Sequence, residues 1–101
     1  MKLPRIEIDE QILIDLSQKY NIIELGLFGS VLRDDFSIHS DIDILIVFSP
    51  DSEYSYFDLL HIKKEFEDRL GRSVDLIEKE GIRNPYRREE ILSTNKVIYA
   101  A

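Results

Sequence analysis

Cysteine is absent from the 101 residues of this chain, which excludes both disulfide-stabilised proteins and proteins that bind metals through thiolates. Neither a disulfide framework nor a thiolate metal site is available. Any metal site must therefore depend mainly on oxygen ligands. Repeats, low-complexity tracts and linkers are absent as well. A chain of this length then predicts a single domain, over residues 1–101, with one core.

Long apolar runs are also absent. The longest runs are far too short to span a bilayer, and the N-terminus shows neither the basic nor the apolar region of a signal peptide. Hydrophobic residues make up 44% and charged residues 33% of the chain, a balance typical of folded soluble domains and unlike that of disordered ones. We therefore expect a cytoplasmic protein that does not associate with membranes.

An excess of positive charge is missing too. The formal net charge is -7, so the surface as a whole repels nucleic acid, which excludes strong nonspecific binding to DNA or RNA. Basic residues do cluster twice along the chain. One cluster is a candidate local patch of Arg83, Arg87 and Arg88. The other predicts a solvated helix face of mixed charge and consists of Lys63, Lys64, Arg69 and Arg72.

Apolar spacing and capping signals divide the chain into short elements: Asp9 is a predicted N-cap, Ser55 and Asp58 form a predicted variant of the capping box, and Gly71 is a predicted helix end. Helices are predicted over residues 9–20, 30–35, 56–70 and 84–93, and strands over 22–28, 41–48 and 73–77. Their alternating order predicts an α+β fold with α/β-like order, in which a small sheet is flanked by helices. The apolar tail, residues 96–101, is compatible with an edge strand, a cover over the core or a contact with a partner.

Two acids stand at the start of the most hydrophobic strand. Asp41 and Asp43 are two positions apart, so their side chains point to the same side of the strand at a spacing suited to hard cations such as Mg²⁺. Beyond Asp43 both faces of the strand are apolar, which predicts a central strand covered on both sides. Without a cation, two carboxylates on a partly buried face repel each other. The alternative is a solvated strand end.

A phosphate-binding turn is predicted just before these acids. Gly29 and Ser30 stand where a strand should turn into a helix, and a glycine there lets backbone amides approach a phosphate closely. Such a pair alone is more often a simple turn or cap. Asp75 is a third acid, alone in a short apolar strand. Its carboxylate reaches the same metals only if that strand lies beside the Asp41 strand.

Taken together, Gly29-Ser30, ten intervening residues, Asp41-Ile42-Asp43 and the later Asp75 resemble the signature of the polymerase β-like nucleotidyltransferase superfamily. The short length resembles its minimal nucleotidyltransferase (MNT) branch, which includes antitoxin partners of HEPN-domain toxins. The resemblance covers residues 22–95 and implies the polymerase β-like fold, with a mixed sheet of three to four strands flanked by helices.

The resemblance also implies a reaction. Asp41 and Asp43 would ligate two Mg²⁺ ions, while Asp75 would ligate one of them and accept the proton of an attacking hydroxyl. Gly29 and Ser30 would hold the β- and γ-phosphates of ATP. In the antitoxin relatives AMP is moved to a hydroxyl of the partner HEPN toxin, typically that of a tyrosine, and pyrophosphate leaves.

Two further residues are candidate nucleotide-binding groups, each with a structural alternative. Arg33 is placed to reach a phosphate or the partner, or to pair with Asp34 or Asp35. Ser40 is placed to touch a phosphate or to cap the approach to Asp41.

A non-enzymatic function is the competing hypothesis, in which the chain is a binding module that neutralises its partner by covering it. Homo- and hetero-oligomers are both left open. An EF-hand is excluded, because a loop counted from Asp41 has Ile46 at its sixth position and Ser52 at its twelfth, where Gly and Glu are needed.

Overall fold

One mixed sheet of four strands organises the chain, and helices cover both of its faces. The computed structural model describes all residues, 1–101. Its main elements, in chain order, are α1 (Glu10–Lys19), β1 (Ile22–Phe28), β2 (Ile42–Phe48), α2 (Tyr56–Leu70), β3 (Val74–Glu78), α3 (Pro85–Thr94) and β4 (Lys96–Ala100). The predicted fold class, a small mixed sheet flanked by helices, is confirmed.

The strand order brings the strand ends that carry the candidate acids to the same end of the sheet. The order is β3-β2-β1-β4, with β1 antiparallel to both β2 and β4 and with β2 parallel to β3. A parallel pair needs a crossover connection, and α2 supplies it. The end of β1 therefore meets the beginnings of β2 and β3.

Two apolar clusters hold the helices on the sheet. The larger contains 16 buried residues and includes alternate side chains of β2, among them Ile42, Ile44 and Ile46, together with residues of α1 and α2. The smaller lies on the opposite face, where Leu45 packs with Ile91 of α3. Both faces of β2 are thus covered, as predicted. Asp43 alternates with Ile42 and Ile44, so it lies on the α3 face.

Local hydrogen bonds explain where the helices begin and end. The Asp9 carboxylate accepts a hydrogen bond from the Gln11 amide, and the predicted capping box of Ser55 and Asp58 is present at the start of α2. Gly71 ends α2 in the left-handed conformation, with φ at +69°. These predicted signals are confirmed, because each acts within a few residues of its own position.

The prediction of a short helix over residues 30–35 was wrong in both the type and the length of the helix. The chain forms a single 3₁₀ turn over Gly29–Leu32 and becomes extended at Arg33. Val31 and Phe36 are both buried in the larger core. Five positions along an α-helix turn a side chain by about 140°, so one continuous helix would not direct both into that core.

The C-terminal tail is an edge strand, one of the three alternatives left open by the sequence. It is β4, which pairs antiparallel with β1. The strand boundaries differ from the predictions by one residue: Asp41 precedes β2, and β3 begins at Val74. No helix of the chain combines the length and the apolar character needed to cross a membrane.

Candidate active site

The register of the sheet brings the acid-bearing positions of two strands side by side. Asp43 on β2 is paired directly with Asp75 on β3, and Asp41 lies two residues before Asp43. Neighbouring strands lie about 4.8 Å apart, and paired residues of parallel strands point to the same face. The condition on which the sequence-based hypothesis depended, that the Asp75 strand lies beside the Asp41 strand, is confirmed.

The environment of Asp43 disfavours a negative charge in the metal-free chain. Burial raises the pKa of its carboxyl above the ordinary value of 3.8, and repulsion from Asp75 and Asp41 raises it further. Arg87 and Arg33 act in the opposite direction and lower the pKa of Asp43. The three acids therefore form an excess of negative charge that bound cations would relieve.

These acids fit the chemistry of Mg²⁺, which prefers carboxylate oxygens. Asp41 and Asp75 are exposed and Asp43 is partly buried. As the side chains stand, no three His, Asp or Glu residues come together closely enough to hold a metal ion. The donor types and their charge suit the ion, whereas the side chains are not gathered around a common point.

Gly29 connects the predicted phosphate-binding turn with the acids, because it lies against the Asp43 carboxylate. Its φ is +76°, in the left-handed region that other residues adopt only at a cost. A Cβ atom at this position would overlap the Oδ2 atom of Asp43 and would lie 3.2 Å from its Cγ atom. Glycine is therefore required twice, by the backbone conformation and by the closeness of the Asp43 carboxylate.

A pocket opens directly over this contact. Its volume is about 440 Å³, within the range of small-molecule sites. Its lining includes four of the predicted site residues, Gly29, Ser30, Arg33 and Asp43. The rest of its lining, mostly from α3, consists of Phe28, Leu32, Arg87, Glu90, Ile91 and Thr94.

Two arginines supply positive charge to this pocket. Arg33 follows the 3₁₀ turn, and its Nε atom lies 3.1 Å from an oxygen of Asp35, so the predicted ion pair forms while the residue also lines the pocket. Arg87 comes from the first turns of α3. The 3₁₀ turn is too short for a strong helix dipole, so the charge that would bind a phosphate comes chiefly from these two side chains.

Glu90 and Thr94 were not among the predicted site residues, and Arg87 was named only as a member of the candidate basic patch. All three lie on α3, more than forty positions after Asp43, and no local pattern connects them to it. The Asn84–Pro85 helix start sets the phase of α3 and so which residues share a face. That signal becomes informative only when the packing of α3 on the sheet is known.

Ser40 does not line the pocket and has a structural role in the loop before β2. Its hydroxyl accepts a hydrogen bond from the Ser37 amide at 3.0 Å. Its carbonyl oxygen accepts another from Arg72 at 2.8 Å. That Ser40 also binds a phosphate stays a prediction.

A larger groove, of about 750 Å³, lies between residues 2–7 and residues 36–38. Its cationic side chains are Lys2, Arg5 and Arg72, and its single acid is Glu7. It contains none of the predicted catalytic acids, so the smaller pocket is the candidate active site.

Sequence comparison agrees with this geometry. Residues 9–98 match the family model of the nucleotidyltransferase domain. A Methanocaldococcus jannaschii protein with the provisional name of protein adenylyltransferase is 38% identical over 76 residues, which cover 75% of this chain and 76% of that protein.

Two solved structures share the fold. One is a toxin–antitoxin crystal structure with AMP-PNP, which matches with a TM-score of 0.77 and 18% identity over 93% of this chain and 75% of that chain. The other is a tri-AMPylated Shewanella oneidensis HEPN toxin in complex with an MNT antitoxin, with a TM-score of 0.67 and 18% identity over 91% of this chain and 70% of the matched one. At these identities the likeness concerns the fold.

Proposed function

This chain belongs to the nucleotidyltransferase domain family, and we propose that it transfers AMP from ATP to a hydroxyl group of a HEPN-type partner protein, thereby acting as an antitoxin. One observation carries the proposal: Asp43 is paired with Asp75 and lies against Gly29. A phosphate bound at the Gly29 turn would therefore adjoin the carboxylates that the reaction requires.

The residues have separate tasks in the proposed reaction. The Gly29–Ser30 turn binds the β- and γ-phosphates, and Arg33 and Arg87 neutralise part of their charge. The acceptor oxygen forms a bond to the α-phosphorus, the bond from the α-phosphorus to the bridging oxygen breaks, and pyrophosphate leaves. The proton of the acceptor hydroxyl passes to the carboxylate of Asp75.

Asp41, Asp43 and Asp75 would hold two Mg²⁺ ions, which supply positive charge to the attacking and leaving oxygens of an in-line displacement. Burial is the main reason why the pKa of the Asp43 carboxyl is raised, and the added repulsion from Asp75 and Asp41 supports this assignment because bound cations would relieve it. The apolar wall formed by Phe28, Leu45 and Ile91 beside that carboxylate lowers its exposure to water.

The names of the relatives support the choice of donor and acceptor. The curated relative has the provisional name of protein adenylyltransferase, one structural neighbour was solved with AMP-PNP, and another contains an AMPylated HEPN toxin. ATP as donor and a HEPN-type protein as acceptor are therefore the first substrates to test.

The test uses labelled ATP, Mg²⁺ and the protein encoded by the adjacent reading frame, and the proposal expects that protein to be of the HEPN type. We expect label on the partner with the wild-type chain, and none with a variant that carries both Asp41→Asn and Asp43→Asn. Complex formation, measured by size-exclusion chromatography, should be retained by this variant because Asp41 is exposed and Asp43 is only partly buried, so neither acid belongs to the core.

The outcomes separate catalysis from binding alone. Absence of label with the wild-type chain, combined with silencing of the partner in the complex, would favour the non-catalytic antitoxin. Loss of both label and complex formation in the double variant would instead indicate a folding role for the acids.

A further inference from the structure

Arg72, at the turn between α2 and β3, binds the loop that precedes β2. Its Nη2 atom donates hydrogen bonds to the carbonyl oxygens of Ser37, at 2.7 Å, and Ser40, at 2.8 Å. Ser40 is the neighbour of Asp41, and Arg72 lies three residues before Asp75. One side chain thus connects the segments that deliver two of the candidate catalytic acids.

The guanidinium group is held in a defined orientation. Its Cζ atom lies 4.5 Å from the centroid of the Phe36 ring, and Phe36 is itself buried in the core. The cation–π contact holds the group against the ring while its Nη2 atom donates to the two carbonyls. A lysine would lack this planar geometry, so the position depends on arginine in particular.

No other hydrogen bond ties this loop to the rest of the chain. The remaining bonds of residues 37–40 are internal: the Ser40 amide donates to the Ser37 carbonyl, the Ser37 amide to the Ser40 hydroxyl, and the His39 amide to the Ser37 hydroxyl, while the Ser37 and Ser40 hydroxyls share a fourth bond at 3.3 Å. These bonds shape the loop. On the other side of Asp41, the Ile42 amide donates a hydrogen bond to the Ser73 carbonyl at 2.9 Å, so the strand itself is attached there, whereas residues 37–40 are attached by hydrogen bonds only through Arg72.

This role differs from the one expected for the basic cluster that contains Arg72. Lys63 and Lys64 do form ion pairs along the exposed side of α2, with Glu67 and Asp68, as a solvated face predicts. Arg72 instead makes its contacts with backbone carbonyls and an aromatic ring. The prediction of a solvated face therefore does not hold for this residue.

We propose that Arg72 is a positioning residue for nucleotidyl transfer: it holds the loop of residues 37–40 against the start of β3 and thereby sets the place of Asp41 relative to Asp43 and Asp75. The inference rests on the proposed function. Arg72 acts through the backbone of Ser40 and touches neither the nucleotide pocket nor its lining.

The variants Arg72→Ala and Arg72→Gln remove this attachment, and Arg69→Ala is the matched control. Arg69 is an exposed arginine three residues earlier, in the last turn of α2, and forms no hydrogen bond or ion pair. Mn²⁺ is titrated by calorimetry into each protein saturated with AMP-PNP. Loss of a residue that orients metal ligands typically weakens metal binding about 10- to 100-fold. We expect a loss of about tenfold for Arg72→Ala and wild-type affinity for Arg69→Ala.

Two further readouts separate positioning from general destabilisation. AMP-PNP binding without metal should be unchanged, because the Gly29 turn lies on another segment. In the transfer assay the KM for Mg²⁺ should rise, while kcat at saturating Mg²⁺ stays close to that of the wild type. A merely unstable protein would lose metal-free AMP-PNP binding and kcat together, and that result would overturn the proposal.

Equal Mn²⁺ affinity in Arg72→Ala and Arg69→Ala would also overturn it. If Arg72→Ala does not fold, the shorter, uncharged side chain of Arg72→Gln decides by the same criterion. A wild-type chain that binds no Mn²⁺ with AMP-PNP and transfers no label would refute the proposed function together with this inference. Normal wild-type behaviour with unaffected Arg72 variants would refute this inference alone.

Discussion

Substitution of Gly29 by alanine tests whether the predicted phosphate-binding turn and the acids form one site. At φ of +76°, an L-residue costs about 1–2 kcal/mol in free energy of unfolding. The new Cβ atom would lie 3.2 Å from the Cγ atom of Asp43 and would overlap its Oδ2 atom. Because ordinary contacts need about 3.5 Å or more, the Asp43 carboxylate must move by about 1 Å.

Gly71→Ala is a matched control for the backbone cost. Gly71 has a φ of +69°, and a Cβ atom there would meet nothing within 4 Å. Both variants should therefore lose about 1–2 kcal/mol in urea denaturation. Only Gly29→Ala should impair transfer, by about 100-fold, since a displacement of 1 Å in a catalytic constellation has consequences of that size.

The assay combines labelled AMP transfer with carbon NMR of the Asp43 carboxyl group. In Gly29→Ala the Asp43 resonance should shift, and in Gly71→Ala it should stay at its wild-type position. The reasoning is refuted if the two variants transfer AMP equally well, or if the Asp43 resonance is the same in both. Either result would mean that the close approach of Gly29 to Asp43 has no part in the site.

Two predictions concern stability and pH in metal-free buffer. The raised pKa of Asp43 makes its charge a cost that is fully present at neutral pH, so Asp43→Asn should be more stable than the wild type at pH 7. The difference in free energy of unfolding between Asp43→Asn and the wild type should disappear as the pH falls through the raised pKa toward 3.8. Equal stability of the two proteins at pH 7 in urea denaturation would contradict this prediction. The charge of Glu67 stabilises the fold, in contrast to that of Asp43, because a hydrogen bond from the Val74 amide, at 3.0 Å, lowers the pKa of Glu67 below 4.5. Glu67→Gln should cost about 1 kcal/mol at pH 7, and the cost should vanish as the pH falls below 4.5 through the lowered pKa; a cost that persists in acid would point to packing instead.

Residues that act on their own neighbours were predictable from the sequence. The structure shows Asp9 at the start of α1, Ser55 at the start of α2 and Gly71 at the end of α2, and each acts through contacts within a few positions. The two acids Asp41 and Asp43 share a strand face for an equally local reason, the period of the β-strand. These features required no knowledge of how the elements pack.

The residues that line the pocket were harder to predict from the sequence. Arg33 was predicted because it follows the Gly29 turn closely in sequence, whereas Arg87 reaches the pocket from a distant helix. The 3₁₀ turn in place of the predicted helix has a similar origin. The burial of Val31 and Phe36 in one core decides it, and that burial depends on the position of the sheet.

The sequence by itself therefore determined the inventory of the candidate site: a glycine turn predicted to bind a phosphate, two acids on one face of a strand and a third acid later in the chain. Only the tertiary structure decided that these parts meet. The pairing of Asp43 with Asp75 depends on β2 and β3 being parallel neighbours, joined by α2, and strand order is set by burial of the whole sheet and not by any local signal. The contacts of Arg72 with Ser37 and Ser40 are likewise long-range, with 35 and 32 positions between donor and acceptor.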